Sequence, residues 1–344
     1  KYCDRGNSVA VFFWNITMPK ISIIIPIFNT SFWLRRCLDC ICNQTLRDIE
    51  IICIDDASTD SSPHILAKYA VADPRIFVIS LTQNKGAAIA RNIGINAASG
   101  DFIGFIDSDD TVDYDFFEKL YNKSQITQNL IVKGNLKIHS LTNEWINSQI
   151  NKKIHINKGY FLSNFGTAIY DRNYILKNNL YFPNIPNGED LAFIVKTISC
   201  GAELDIIDDT YYYYWHRPNS SSQRPITSQT INSMAKYIYN AIDFINKKNY
   251  DVKIYTIHFF KFIEDCFMLI SLCQDKEAKK VCSKLIGYIY DKNKHQEELD
   301  AHILNKDQFL LYPIQKKYYD ILENWNNMTQ LQKLRVKLNT KRHF

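Results

Sequence analysis

The segment Phe102-Ile103-Gly104-Phe105-Ile106-Asp107-Ser108-Asp109-Asp110 joins a run of apolar residues to three carboxylates within four positions. Such a run is typical of a buried strand in a parallel sheet, whose carboxyl end opens into a ligand site. Three neighbouring carboxylates repel one another unless a cation lies among them. The segment therefore predicts either a site for a hard divalent cation such as Mg²⁺ or Mn²⁺, which takes oxygen ligands, or a solvated acidic turn.

Strand and helix patterns alternate along the first part of the chain. Apolar, β-branched runs predict strands at 21–26, 50–54, 76–81 and 102–106, and helical spacing predicts helices at 31–44, from the Asp60 cap to about Val71, and at 86–98. This alternation implies right-handed βαβ units and a parallel sheet. Because ligands bind beyond the carboxyl ends of such strands, the polar residues that follow three of them should converge on one cleft. These residues are Asn29, Asp55, Asp56, Asp107 and Asp109.

The composition argues against several classes of protein. With 344 residues, 46% of them hydrophobic, the chain can bury one large core and an additional region. The net charge of +5 is spread along the chain, which gives no footprint for nucleic acid. Nine cysteines without paired CxxC modules favour free thiols in a reducing cytosol over disulfides or a zinc site. No segment approaches the roughly 20 apolar residues that a membrane-spanning helix needs.

The two ends of the chain have their own patterns. Met18-Pro19-Lys20 directly precedes the first strand, so residues 1–18 are interpreted as an N-terminal extension or an expression remnant. Residues 225–344 have helical periodicity, in segments such as 231–247 and 254–272, and end in a basic tail. Three interpretations of the tail stay open: docking on an anionic membrane surface, a solvated segment, and a homodimer contact.

Seven sequence blocks between residues 21 and 217 carry a resemblance to a known family. They are residues 21–29, 34–38 with 43–45, 54–60, 84–86 with 90–92, 99–101 leading into 107–110, 188–190, and 214–217. With these blocks in this order, the chain resembles the family 2 glycosyltransferases, which include the bacterial surface-polysaccharide and lipooligosaccharide type. The resemblance implies the GT-A fold, a Rossmann-like α/β fold with a mostly parallel central sheet flanked by helices, followed here by a helical C-terminal extension. It also implies a nucleotide-sugar-binding half at 19–120 and an acceptor-binding half at 121–224.

In this family an Asp-x-Asp motif binds a divalent cation, and Asp107-Ser108-Asp109 resembles that motif. The resemblance implies that Asp109 coordinates the Mn²⁺ or Mg²⁺ that bridges the donor diphosphate, and that Asp107 lies near the ribose and the metal. Ser108 belongs to the same loop. His216 matches a position that often contacts the metal or the diphosphate, with a packed aromatic neighbour as the alternative, and Arg217 is a candidate phosphate contact.

The same resemblance places the base of a UDP-sugar at the ends of the first two strands. Asp56 matches the residue that accepts a hydrogen bond from the uracil ring, and Pro26 and Phe28 match the walls of the base pocket. Asn29 and Asp55 adjoin these residues and are assigned to the same site. The alternative for Asp55 and Asp56 is that they cap the helix that follows them.

Charged residues further along the chain complete the predicted site. Lys85 and Arg91 lie where the family makes nucleotide contacts and could meet the diphosphate, the alternative being a surface charge. Asp190 matches the general base that removes the proton of the acceptor hydroxyl, which allows in-line attack with inversion. Glu189 is expected to orient the acceptor or to support its loop. A helix N-cap is the alternative for Asp190.

These residues predict an inverting, metal-dependent transferase. It would move a hexose or an N-acetylhexosamine from a UDP-sugar to a hydroxyl of a growing or lipid-linked glycan, in the cytoplasm or at the cytoplasmic face of the inner membrane. Two alternatives belong to other classes: a nucleotidyltransferase on a similar sheet, and a non-catalytic module that binds sugar or nucleotide. The first would need a glycine-rich phosphate loop after the first strand, where the chain has Pro26-Ile27-Phe28-Asn29. The second would be favoured if UDP did not bind, and the intact set of carboxylates argues against it.

Overall fold

The computed structural model describes residues 18–140, 164–185, 188–216, 228–246, 276–292 and 297. The described strands are β1 Ile21–Ile27, β2 Ile49–Asp55, β3 Ile76–Ser80, β4 Phe102–Phe105, β5 Thr111–Val112, β6 Ile131–Ser140, β7 Ala168–Asp171 and β8 Leu204–His216. The described helices are α1 Ser31–Cys42, α2 Ser62–Ala72, α3 Ala87–Ala97, α4 Phe116–Thr127, α5 Arg172–Lys177, α6 Glu189–Ser199, α7 Ser228–Asn246 and α8 Lys276–Lys292.

The eight strands form one sheet in the order β3-β2-β1-β4-β7-β6-β8-β5. The three neighbour pairs among β3, β2, β1 and β4 are parallel, as is the pair of β6 and β8. The pairs that involve β7 or β5 are antiparallel. The prediction of a mostly parallel central sheet flanked by helices is therefore confirmed. Because β1, β2 and β4 run in the same direction, their carboxyl ends meet at one edge of the sheet.

The strands β1, β2 and β4 at the centre of the sheet are buried on both faces. On one face, Ile23 of β1 lies in an apolar cluster with Leu38 of α1. On the other face, Ile24 lies in a cluster with Ala90 of α3 and Phe193 of α6. Successive residues of a strand point to opposite faces, so a strand covered by helices on both sides needs apolar residues at every position. This requirement explains why β1 is rich in isoleucine, and its buried polar residue, Ser22, donates a hydrogen bond to Glu50.

In the first 106 residues, the predicted first and last residues of the strands and helices differ from those in the structure by at most two positions. The periodic segment at 231–247 corresponds to α7, which contacts α8 through the rings of Tyr239 and Tyr288, 4.5 Å apart. The segment at 254–272, residues 1–17 and the basic tail lie outside the described residues. The domain boundaries therefore stay a prediction. Among the described helices, none combines the length and the apolar character needed to cross a bilayer.

Replacing Gly94 by alanine is expected to destabilise the fold. Gly94 lies in α3 against β1, and an added Cβ would overlap the Cγ2 atom of Ile24, which is fully buried. Neither group can move into solvent, so we expect a loss of about 1–3 kcal/mol in the free energy of unfolding, measured by urea denaturation. The control is Val71→Ala, at a position of α2 that is 90% exposed. It should change the free energy of unfolding by less than about 0.5 kcal/mol. Equal midpoints for the Gly94 variant and the parent would contradict this packing.

Candidate active site

A cavity of about 450 Å³ lies at the sheet edge where β1, β2 and β4 end. Eight of the residues predicted from the sequence line it: Pro26, Phe28, Asp56, Arg91, Asp107, Ser108, Asp109 and Glu189. The residues at the ends of separate strands thus converge as the βαβ pattern requires. Glu189, the first residue of α6, is brought to the same cavity from the other half of the chain.

The loop that follows β4 is fixed mainly through its backbone and Ser108. The Thr30 hydroxyl donates to the Ser108 Oγ at 3.0 Å, and the backbone N–H of Asp107 donates to the Tyr212 hydroxyl at 3.2 Å. The Nη2 of Arg36 donates to the carbonyl oxygen of Asp109 at 2.7 Å. These contacts hold the loop in place while Asp107 and Asp109 both line the cavity.

Asp110, the third carboxylate of the cluster, has a different environment. It is fully buried, accepts a hydrogen bond from the Tyr212 hydroxyl at 2.6 Å, and accepts a second from the backbone N–H of Trp215 at 2.9 Å. Burial, together with the charges of Asp107 and Asp109, raises the pKa of Asp110 well above its usual value. Asp110 therefore joins the loop to β8, and it does not line the cavity.

The carboxylates at the cavity fit a metal ion whose remaining ligands come from a substrate. Among the described residues, no group of three or more His, Cys, Asp or Glu side chains is arranged to hold a metal ion. Asp107 and Asp109 offer two carboxylates, and Mg²⁺ usually binds through one or two carboxylates and completes its shell with waters and phosphate oxygens. His216 ends β8, but its side chain and the whole of Arg217 lie outside what the structure describes, so their predicted roles stay predictions.

Asp56 lines the cavity and also fixes the start of α3. One carboxylate oxygen accepts the backbone N–H of Lys85 at 2.7 Å and the other accepts that of Gly86 at 2.8 Å. The helix that Asp56 caps is thus α3, whereas the sequence suggested the helix that directly follows. Each oxygen keeps a second lone pair, so the cap is compatible with a further donor from the cavity. Asp55 accepts the backbone N–H of Ser58 at 3.2 Å and closes the turn after β2.

Four of the predicted residues that the structure describes do not line the cavity: Asn29, Asp55, Lys85 and Asp190. Asn29 has a positive φ of 51° and accepts the backbone N–H of Thr59 at 2.8 Å, which ties the loop after β1 to the loop after β2. Lys85 has an exposed side chain, and its backbone N–H is the group that contacts Asp56. In the structure, Asn29 and Asp55 therefore shape the loops around the cavity.

Arg91 links the two halves of the site. It is 4% exposed and donates to Asp107 at 2.8 Å and to Glu189 at 3.3 Å. Its guanidinium lies over the rings of Phe165, at 4.4 Å, and Phe182, at 5.2 Å.

Burial alone would lower the pKa of Arg91, but Asp107 and Glu189 outweigh it and keep the side chain charged. Its Nε finds no hydrogen-bond acceptor in the described part of the chain. The structure shows Arg91 as a bridge between two carboxylates at the wall of the cavity, and its predicted contact with the nucleotide stays a prediction.

The pair Glu189 and Asp190 forms the first turn of α6. Burial and the neighbouring charge of Asp190 raise the pKa of Glu189, although Arg91 acts in the opposite direction. Glu189 lines the cavity, and Asp190 is not among the residues that do. Glu189 thus stands at the cavity, and Asp190 adjoins it in the first turn of α6, near enough to Arg91 to act on the charge of that side chain.

We expect Arg91→Met to shift the pH dependence of the enzyme. Arg91 lowers the pKa of Glu189, so without it that pKa rises further. A step that needs ionised Glu189 is lost as pH falls through this pKa, and the acid limb of kcat/KM should therefore move to higher pH. The variant should also lose about 2 kcal/mol of stability, because two partly buried carboxylates lose their partner.

Arg47→Met, at an exposed position away from the cavity, is the matched control for this variant. Its acid limb and its urea midpoint should equal those of the parent. If the acid limb of Arg91→Met also coincided with that of the parent, the ion pair would have no influence on the ionisation of Glu189 during turnover.

Several contributors to the site were missed by reasoning from the sequence. Thr30 and Asn84 line the cavity, and Arg36 holds its loop through the Asp109 carbonyl. The alternating tyrosines at 211–214 were expected from the sequence to form core and cleft wall, and in the structure Tyr212 is buried and Tyr214 lines the cavity. The alternation of the tyrosines in β8 was a signal for Tyr214, because residues 212 and 214 share the face that is opposite to 213. Arg36 gave no comparable signal, since its partner is a backbone carbonyl 73 positions away.

Comparisons with known proteins show which family the chain belongs to. The family model described as Glycosyl transferase family 2 matches residues 22–187. The uncharacterized glycosyltransferase EpsJ of Bacillus subtilis is 30% identical over 243 residues, which cover 67% of this chain and 70% of the relative. The poly(ribitol-phosphate) beta-glucosyltransferase of Bacillus spizizenii is 32% identical over 204 residues, which cover 57% of this chain and 32% of the relative.

A solved structure has the same fold. The crystal structure of residues 1–349 of S. aureus TarS in complex with UDP-GlcNAc matches with a TM-score of 0.69 at 20% identity, covering 89% of this chain and 90% of that chain. This likeness confirms the predicted GT-A architecture. With the match to the family model and the similarity to EpsJ, it leads to one conclusion: the chain belongs to glycosyl transferase family 2 and is a glycosyltransferase.

Proposed function

We propose that the protein is an inverting, metal-dependent glycosyltransferase that uses a UDP-sugar as its donor. The observation that carries the proposal is the distribution of carboxylates around one cavity. Asp56, Asp107 and Asp109 lie at the strand ends, Glu189 faces them from α6, and Arg91 bridges the two groups. A donor bound at the strand ends would present its anomeric carbon toward α6. The fold shared with TarS, which was crystallised with UDP-GlcNAc, supports a UDP-sugar.

Each group on the donor side has a defined task in this proposal. Asp56 accepts the N3–H of the uracil ring, and Pro26 and Phe28 flank the ring. Asp109, with Asp107 beside it, holds the divalent cation. When bound, Mn²⁺ or Mg²⁺ offsets the negative charge that builds up on the departing diphosphate. Arg91 keeps Asp107 oriented through their 2.8 Å hydrogen bond.

On the acceptor side, Asp190 is proposed as the general base and Glu189 as the residue that orients the acceptor. The base removes the proton of the acceptor hydroxyl as its oxygen attacks the anomeric carbon from the face opposite the diphosphate, which inverts the configuration. The first turn of α6 places both carboxylates at or beside the cavity. Glu189 is paired with Arg91 at 3.3 Å, which suits a residue that is held in place and orients the acceptor.

The acceptor is proposed to be a growing or lipid-linked cell-surface glycan. The name of the Bacillus spizizenii relative, a poly(ribitol-phosphate) beta-glucosyltransferase, supports this class of acceptor. We further propose that the enzyme works in the cytoplasm or at the inner face of the membrane, where lipid-linked glycans and nucleotide sugars meet. The transferred sugar is a hexose or an N-acetylhexosamine.

Donor turnover tests the proposal directly. UDP release should be measured with UDP-glucose, UDP-galactose, UDP-GlcNAc and UDP-GalNAc, each with Mn²⁺, Mg²⁺ or EDTA and with GDP-mannose as the control. We expect turnover of at least one UDP-sugar that EDTA abolishes, and a product whose anomeric configuration, read by NMR, is opposite to that of the donor. Turnover that persists in EDTA would contradict the metal dependence. Failure of UDP to bind would favour the non-catalytic alternative.

A further inference from the structure

A second cavity, of about 580 Å³, is lined by residues of α1, of β5 and of β8. One wall is the face of α1 formed by Phe32, Arg35, Arg36 and Asp39, which follow one another at the spacing of a single helix face. The opposite wall is β5 with the two residues after it, and Tyr213 of β8 adds the third side. All of these residues belong to the described part of the chain, and none of them lines the first cavity.

Aromatic rings are exposed at the rim of this cavity. Phe32 is 82% exposed and Tyr114 is 64% exposed, and they come from different elements that meet there. Single exposed aromatic residues are common, but a group that lines a concave and partly polar surface marks a binding site. Tyrosine and phenylalanine rings present flat apolar faces of the kind that pack against the C–H face of a sugar ring.

The polar groups of the cavity favour a ligand that is rich in hydrogen-bond acceptors. The Asp113 carboxylate accepts from the backbone N–H of Tyr211 at 2.8 Å and from the Tyr213 hydroxyl at 2.7 Å. The Asp39 carboxylate accepts from the Tyr69 hydroxyl at 2.6 Å. Each acidic group thus accepts a hydrogen bond from within the protein, and Arg35 has an exposed side chain. The donors of the arginines match hydroxyl, carboxylate or phosphate oxygens.

Arg36 connects the second cavity to the first. Its guanidinium lies 3.9 Å from the ring centroid of Trp215 and 5.2 Å from that of Trp33, and it donates to the Asp109 carbonyl at 2.7 Å. Its Nε is buried and has no hydrogen-bond partner within the described residues. A ligand in the second cavity would therefore contact the side chain that fixes the proposed metal-binding loop.

We propose that this cavity is a subsite for a sugar unit of the acceptor chain that is remote from the reacting hydroxyl. This inference rests on the proposed function, because only a polymeric acceptor can fill both cavities at once. The subsite binds its sugar unit by stacking on Phe32 and Tyr114 and by hydrogen bonds from Arg35. It holds the acceptor beside the site of transfer and selects longer acceptors over shorter ones.

The test uses the full chain and three defined probes: maltohexaose, chitohexaose and a synthetic hexamer of ribitol phosphate. Their binding is measured by saturation-transfer NMR and calorimetry in the presence of UDP and Mn²⁺. We expect the parent to bind at least one probe, and the double variant Phe32→Ala, Tyr114→Ala to bind it on the order of tenfold more weakly. Phe77→Ala, at a position of β3 that is 52% exposed and outside both cavities, should bind as the parent does.

Arg35→Ala separates the two kinds of acceptor chemistry. Weaker binding of the ribitol phosphate hexamer alone would identify an anionic glycan, and weaker binding of a neutral oligosaccharide would identify hydroxyl contacts. The proposal is overturned if the parent binds none of the three probes, or if the double variant binds like the parent. UDP binding and donor turnover, measured on the same samples, report on the proposed function independently, because these variants leave the first cavity intact.

Discussion

Asp109→Asn is expected to lower turnover of a UDP-sugar by about 1000-fold and to make the residual rate insensitive to Mn²⁺ and Mg²⁺. Asparagine keeps the size of the side chain, and the contact between Arg36 and the Asp109 carbonyl is unaffected because it involves only the backbone. What is removed is the negative charge at the wall of the cavity. UDP affinity, measured by calorimetry with and without EDTA, should become equal under both conditions.

Asp110→Asn is the control, because it makes the same chemical change one position later. Asp110 is buried against Tyr212 and Trp215 and does not line the first cavity. Its replacement should lower the melting temperature while the half-saturating Mn²⁺ concentration stays that of the parent. The assignment of Asp109 would be wrong if Asp109→Asn kept its response to metal, or if only Asp110→Asn lost it.

Much of the architecture was predictable because it depends on local periodicity. The isoleucine-rich segment of β1 predicts a strand, and the apolar spacing of α1 predicts a helix. Both signals lie within the element itself and need no knowledge of distant contacts. The rule that parallel strands end at one edge then brings Asp56, Asp107 and Asp109 together without any knowledge of side-chain contacts. The resemblance to family 2 added Glu189, whose position depends on the other half of the sheet.

The sequence did not predict which charged residues line the cavity and which are held in contacts with distant residues. Arg91 pairs with Glu189 across 98 positions, and Tyr212 binds Asp110 across 102. A local pattern cannot reveal such contacts, so Asp109 and Asp110 look alike in the sequence although one lines the cavity and the other supports it. Arg91 likewise has the pattern of a surface helix charge and proves to be buried.

Asp190→Asn is expected to lower kcat by between about 100-fold and 10,000-fold, the range that general-base catalysis contributes, with little change in UDP affinity. The variant keeps the shape of the side chain and the start of α6, and it removes the group proposed to take the proton. Loss in kcat without loss of UDP binding distinguishes this role from that of the strand-end carboxylates. Single-turnover measurements with a saturating donor separate the chemical step from product release.

Glu189→Gln is the matched comparison, since it neutralises the neighbouring carboxylate and keeps an oxygen that can accept from Arg91. Burial and Asp190 raise the pKa of Glu189, while Arg91 engages its carboxylate at 3.3 Å. The proposed role of Glu189 is to orient the acceptor, and the glutamine amide can still form a hydrogen bond, so we expect this variant to lose only about tenfold in kcat. A reversed order, with Glu189→Gln the slower variant and Asp190→Asn close to the parent, would identify Glu189 as the base. Arg91 would then be the group that tunes its pKa, because the ion pair would have to open before the proton could be taken.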